Sequence, residues 1–402
     1  MRPRAARLLL LVMLLQPGAL ARAEDAPGRL GQVIPISALA GKQEEDPVIA
    51  WDGRHYLVVW QSNRQDLDDY NVFGARISPD GRVLDPKGFV ISTAPSNQLF
   101  LDLAWGREEY LAVWQDLRSR TRWEIYGARI RSDGTVLDAQ GISIAVGERN
   151  HRHPQVAWDG TNFLVVWMEE NRANGWDVAG ARISPDGTVL DRERILIATG
   201  PGDQAFPVLA WGRESYLVVW MEGGGISGTR VDSSGKVLDP HGRVLSRSSR
   251  DAGYPSVAWG AGQFVVVWGD RSPSAAHALS GVQVRASGAV IDGTAMTISS
   301  STNLQTFPSV RCAGRSCLVV WEEDQSSGRP RQGIESVIRD VRGAFLDLSE
   351  RPVSPRYVMI SPRAIGNHFT RVTSDGRRYL VVWKDYQTGT AASLGRLVTP
   401  VR

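Results

Sequence analysis

Residues 154–167 read P-Q-V-A-W-D-G-T-N-F-L-V-V-W, and this stretch decides the fold. Two short apolar runs flank the tight turn D-G-T-N at 159–162, the pattern of a β-hairpin. The second run, Phe163 to Trp167, is apolar at every position, so both of its faces must be covered. A variable segment follows, then V-A-G-A-R-I at 178–183 and the turn S-P-D-G at 184–187. Proline second and glycine fourth suit a type I turn. The chain then continues through T-V-L-D to Ile197. We label the four strand-like segments A, B, C and D.

The unit recurs seven times, each copy closing its strand B on a tryptophan: Trp60, Trp114, Trp167, Trp220, Trp268, Trp321 and Trp383, at intervals of 54, 53, 53, 48, 53 and 62 residues. Periods of this size mean propellers or solenoids. A solenoid would need caps, and the termini suggest another device. Residues 395–400, G-R-L-V-T-P, match strand C and its turn, after which no strand D follows. Residues 28–37, G-R-L-G-Q-V-I-P-I-S, read as an orphan strand D. Ten residues separate the late apolar position of strand D from the next strand A at Ile91 to Leu101, Ile144 to Pro154 and Ile197 to Pro207. Ile36 precedes Pro47 by eleven. The expected fold is all-β: a seven-bladed β-propeller of four-stranded antiparallel blades, closed by an N-terminal strand that completes the last blade and leaves no open sheet edge.

The copies resemble secreted bacterial β-propeller repeats of the A-W-D-G…L-V-V-W…G-A-R-I-S-P-D-G type, as at 157–160, 164–167 and 180–187. The resemblance covers residues 28–402 and implies fold only. The copies lack the glycine-histidine and tryptophan-aspartate pairing of WD40 repeats and the double glycine of kelch repeats. The S-P-D-G segment is similar to a sialidase Asp box but lacks its spacer and closing tryptophan.

Residues 1–23 carry four arginines, an apolar run from Leu8 to Leu15 and a small-x-small ending at Ala21 and Ala23, the form of a secretory signal peptide. The expected organisation is therefore a signal at 1–23 and one propeller over 24–402, secreted or periplasmic, monomeric and without a transmembrane segment. Of the 46 basic residues, the 42 outside that segment nearly match the 43 acidic ones. This balance argues against nucleic acid as a partner.

Five copies set a strand A tryptophan opposite an aromatic: Trp51 and Tyr56, Trp105 and Tyr110, Trp158 and Phe163, Trp211 and Tyr216, Trp259 and Phe264. Cross-strand aromatic pairs stabilise hairpins. In the sixth copy both positions change together to Cys312 and Cys317, the only cysteines. Opposed positions around so short a turn lie within disulfide reach, and a secretory route is oxidising. A Cys312–Cys317 disulfide is expected in place of the aromatic pair, with a metal pair or a redox site as the rivals.

Function is expected on the face formed by the variable B–C and D–A loops. Two residues after the strand B tryptophan stand Asp116, Glu169, Glu222, Asp270, Glu323 and Asp385, with Ser62 as the exception. Six carboxylates on one rim could hold calcium, whereas capping or pairing with arginines such as Arg118, Arg172 and Arg271 is the structural alternative; no cofactor is expected. Ligand-contact candidates are Trp123 and Trp176, read as lying outside the repeat, together with Asp68, Asp69, Tyr70, His151 and His153. His151 and His153 form an H-x-H pair without a third metal ligand, so solvated loop residues are the alternative. These features suggest a non-enzymatic binding or adhesion module for a protein or glycan ligand. A scaffold subunit of an envelope assembly is the next reading, and a glycan-active hydrolase or lyase the third, because no pair of catalytic carboxylates can be placed in one cleft from sequence.

Overall fold

The computed structural model describes residues 28–37, 42–64, 69–173, 175–246, 251–271, 277–325, 338–350, 353–365, 369–386 and 390–401. The signal-like segment at 1–23 and Asp68 lie outside them. The described residues form seven four-stranded antiparallel sheets, each ordered A-B-C-D, and no helix. None of them therefore belongs to a helix long and apolar enough to cross a membrane.

The seventh sheet runs from Arg371–Ser374 through Tyr379–Asp385 and Ala392–Pro400 to the N-terminal Gly28–Ser37. Gly28 pairs with Pro400, Leu30 with Val398 and Ile34 with Gly395. Ile36 is buried against blade one and blade seven residues, among them Val58, Trp60 and Leu380. Other bonds tie the same two blades: the Glu44 amide donates to the Ala391 carbonyl over 3.1 Å, and the Tyr386 hydroxyl donates to Glu45 over 2.9 Å.

The apolar strand B lies between strands A and C of its own sheet and packs on both faces against neighbouring blades, as in Tyr379–Asp385, where every residue is buried. The closing tryptophans are nearly inaccessible, at 0–2% exposure. Blades also latch in sequence, since the strand B aromatic of one donates its hydroxyl to the A–B turn of the blade before it. Tyr110 reaches the His55 carbonyl at 3.2 Å, Tyr216 the Asn162 carbonyl at 3.1 Å and Tyr379 the Ser316 carbonyl at 2.7 Å.

The C–D turn carries its own clamp. Arg182 grips Asp191 through two nitrogens at 2.8 and 2.9 Å, and Arg76–Asp85, Arg129–Asp138 and Arg230–Asp239 repeat the geometry. Gly187 closes the S-P-D-G turn at φ 86°, in the left-handed region where a side chain would be strained. The five aromatic pairs have ring centroids 4.5–4.7 Å apart. Cys312 and Cys317 take that place in blade six and are bonded, with Cα atoms 4.0 Å apart.

Candidate functional site

The innermost strand of blades one to six breaks register at one repeated place, between Glu45 and Val48, Leu99 and Asp102, Arg152 and Gln155, Ala205 and Val208, Gly253 and Ser256, and Thr306 and Ser309. A bulge turns a side chain away from the ladder. The residue turned is Asp46, Phe100, His153, Phe206, Tyr254 or Phe307, each with φ between 51° and 53°. Holding a non-glycine residue there costs on the order of 1–3 kcal/mol, and such strain clusters at functional sites. Part of it is offset by the preceding blade: Gln61 and Gln115 accept the amide hydrogens of Phe100 and His153 at 3.3 and 3.2 Å.

These side chains meet around the central channel. Ring centroids step from Phe100 to His153 (4.3 Å), Phe206 (4.7 Å), Tyr254 (5.1 Å), Phe307 (4.4 Å) and Phe369 (4.8 Å), and the last returns to Phe100 at 6.4 Å. The result is an aromatic collar. Blade one alone contributes a carboxylate, Asp46, which Lys384 meets at 3.1 Å and Gln61 at 3.0 Å. Burial raises the Asp46 carboxyl against the pull of Lys384, while Asp46 and Glu45 hold the Lys384 ammonium above its ordinary value despite its burial.

Beyond the collar the channel holds a cavity of about 490 Å³. Two residues past each collar position stand Val48, Asp102, Gln155, Val208, Ser256, Ser309 and Arg371, and Arg311 lies two further on in blade six. Asp102 accepts the Val156 amide hydrogen at 2.8 Å, yet burial pushes its carboxyl up to about 6, with Arg371 and Arg311 only partly opposing. Both guanidiniums are pushed below their ordinary value by burial. Arg311 is nevertheless exposed, and it lines this cavity. Asp46 and Asp102 are the carboxylates lining this cavity.

The sequence candidates are dispersed. His153 joins the collar, and burial lowers its imidazole to about 4. His151 is buried elsewhere, facing Glu169 at 3.4 Å, so the two histidines do not share a site. Trp123 and Trp176 correct their reading as departures from the repeat. With Tyr70 they occupy one blade position in three successive blades, each carbonyl accepting the amide hydrogen that opens the next strand A: Gln98 to Tyr70 at 2.7 Å, His151 to Trp123 at 2.8 Å and Gln204 to Trp176 at 2.7 Å. All three are half-buried on the collar side of the disc, and Arg152 stacks on Trp176 at 5.3 Å. Asp69 accepts the Ser96 amide hydrogen at 3.1 Å.

The six repeated carboxylates are taken up by contacts within the blades or between neighbouring ones. Asp116, Glu222 and Asp270 accept the indole N–H of Trp114, Trp220 and Trp268 at 2.8, 3.3 and 3.0 Å. Glu169 meets Arg149 and Arg194, Glu323 meets Arg342 at 3.1 Å, and Asp385 accepts the Ile365 amide hydrogen at 3.2 Å. Blade one explains its own exception: Glu44, the cross-strand partner of Ser62, supplies the carboxylate that Trp60 donates to. Among the described residues no group of three histidine, cysteine or acidic side chains is placed to hold a metal ion.

Sequence reasoning missed the collar, Asp102, Arg311 and Arg371. The signal was present: in five copies the residue before the strand A proline is Asp46, His153, Phe206, Tyr254 or Phe307, and the matching positions in the other two, before Leu101 and Thr370, are Phe100 and Phe369.

No family model and no curated protein matches the chain. Among solved structures it is similar to an endo-arabinase from Bacteroides thetaiotaomicron, at 12% identity over 60% of this chain and 89% of that one, with a TM-score of 0.39. It is also similar to an exo-β-1,3-galactanase from Phanerochaete chrysosporium, at 9% identity, 78% and 93% coverage and a TM-score of 0.42. A GH43 endo-arabinanase from Bacillus licheniformis shares 16% identity, with 63% and 99% coverage and a TM-score of 0.36. These likenesses describe propeller architecture. The expectation of a non-enzymatic binding or adhesion module is corrected: solved propellers similar to this one include arabinases and a galactanase, and that reading is dropped.

Proposed function

We propose that this propeller is a glycan-active enzyme whose reacting groups lie in the central channel. The reading rests on this chain's own channel, and one observation carries it: two carboxylates, Asp46 and Asp102, line one cavity, and burial lifts Asp102 to about 6 while Lys384 pulls against the rise at Asp46. Cleavage of a glycosidic bond needs a carboxylic acid that keeps its proton near neutrality and a second carboxylate. Asp102, at about 6, is the general acid. Asp46, held beside Lys384, is the base or nucleophile, and Arg371 and Arg311 supply positive charge near the departing oxygen. The collar and the surface residues Tyr70, Trp123 and Trp176 offer apolar faces to sugar rings. The Cys312–Cys317 disulfide supports a secreted or periplasmic location, and we take the protein to act as a monomer.

The test is turnover of a polysaccharide panel by the mature protein, with Asp102→Asn and Asp46→Asn beside it. Loss of a general acid costs roughly 10²–10⁴-fold in rate. Activity should decline as pH rises past about 6, where Asp102 gives up its proton. Absence of turnover across the panel, or an Asp102→Asn variant with the parent rate, overturns the reading.

A further inference from the structure

A second cavity, of about 410 Å³, opens beside blade three and shares no lining residue with the channel cavity. It is lined by the end of strand D of blade two, the D–A loop with Arg149, the tryptophan Trp167, and the C–D segment carrying Arg192 and Arg194.

Its origin can be read by comparing blades. In blades one and two, an arginine four residues after the strand B tryptophan fills the corresponding space. Arg64 stacks on Phe73 at 4.2 Å and donates to the Lys87 carbonyl at 2.6 Å. Arg118 stacks on Tyr126 at 3.7 Å and donates to the Gln140 carbonyl at 2.8 Å. Blade three changes both members of that stack: the arginine becomes Asn171, which turns to Asp177 at 2.8 Å, and the aromatic opposite Trp167 becomes Ala179. The plug and its platform are gone together. A third change accompanies them: where Gly88, Gly141 and Gly242 leave room with φ of 63–76°, blade three has Arg194, whose guanidinium reaches Glu169 at 2.6 Å.

The emptied slot is polar, with one donor and one acceptor left over. The Trp167 indole nitrogen and His151 Nδ1 both belong to residues lining it, are at least nine-tenths buried, and have no hydrogen-bond partner. Glu169, which by analogy with Asp116 would accept the indole N–H, is instead held by Arg149 at 3.1 Å, Arg194 and His151. Leaving buried polar atoms unpaired is unfavourable, and a bound ligand that paired them would recover that loss. Arg192 stands exposed at the entrance.

We infer that this cleft binds a small hydroxylated oxyanion, chemically a hexuronate. Its carboxylate would meet the guanidinium of Arg192 in the bidentate manner arginine favours, alongside Arg149. A ring hydroxyl would accept from Trp167 Nε1–H and donate to His151 Nδ1. The inference does not depend on the channel being catalytic.

The test is calorimetric titration of the mature protein with D-glucuronate, D-glucose, sulfate and acetate. Binding of glucuronate, at least tenfold tighter than of the other three, is expected. Arg192→Ala should weaken it roughly tenfold or more, as loss of one charge-assisted contact does. The double variant Asn171→Arg with Ala179→Tyr rebuilds the blade two plug and should abolish binding while its unfolding transition stays cooperative. Glucuronate that does not bind, that binds no better than sulfate, acetate or glucose, or that binds Arg192→Ala and the plugged variant as it binds the parent, overturns the assignment.

Discussion

Asp102 gives the sharpest test of the channel's electrostatics. Its carboxyl is raised from 3.8 to about 6, chiefly because the ionised form loses water inside the disc. Each unit is worth about 1.4 kcal/mol, so the shift corresponds to about 3 kcal/mol at most, and lumen water trims this toward 1–3 kcal/mol. The sign follows from linkage. The native state holds the Asp102 proton more tightly than the unfolded chain, so its contribution is fully present below pH 3.8 and is lost as pH rises through about 6. Asp102→Asn does not titrate and can still accept the Val156 amide hydrogen. Relative to the parent it should therefore gain about 1–3 kcal/mol between pH 4 and pH 7.5. Urea unfolding of both proteins at the two pH values, with linear extrapolation, gives the four stabilities required. If the difference between variant and parent is the same at both, or moves the other way, the account of a desolvated carboxyl beside two guanidiniums is wrong.

Two further outcomes follow from the blade chemistry. Asp116→Ala removes a fully buried carboxylate that holds the Trp114 indole at 2.8 Å and the partly exposed Arg118 at 2.7 Å, and should cost about 2–4 kcal/mol in chemical denaturation. Replacing Cys312 and Cys317 by alanine should cost about 2 kcal/mol for so short a loop, and Cys312→Trp with Cys317→Phe, which recreates the pair of the other blades, should recover a large part of that melting temperature.

Blade number, strand order and the disulfide were legible in the sequence because the repeat writes them seven times with local signals: a hairpin turn, an all-apolar strand, a closing tryptophan. A register position such as Cys312 opposite Cys317 needs only the turn between them. The role of the repeated carboxylates was not legible, since whether Asp116 faces a rim or its own blade depends on the strand it pairs with and on the indole beneath it. Trp123, Trp176 and Tyr70 looked like departures from the repeat until the bond from each next strand A placed them at one position. The channel lay furthest from view. Asp46 and Asp102 are 56 residues apart in different blades, and Arg371 lies a further 269 along the chain. Only closing the disc brings them around one axis, and only the resulting burial lifts the Asp102 carboxyl toward neutrality, since desolvation belongs to the tertiary structure and to no segment of the chain.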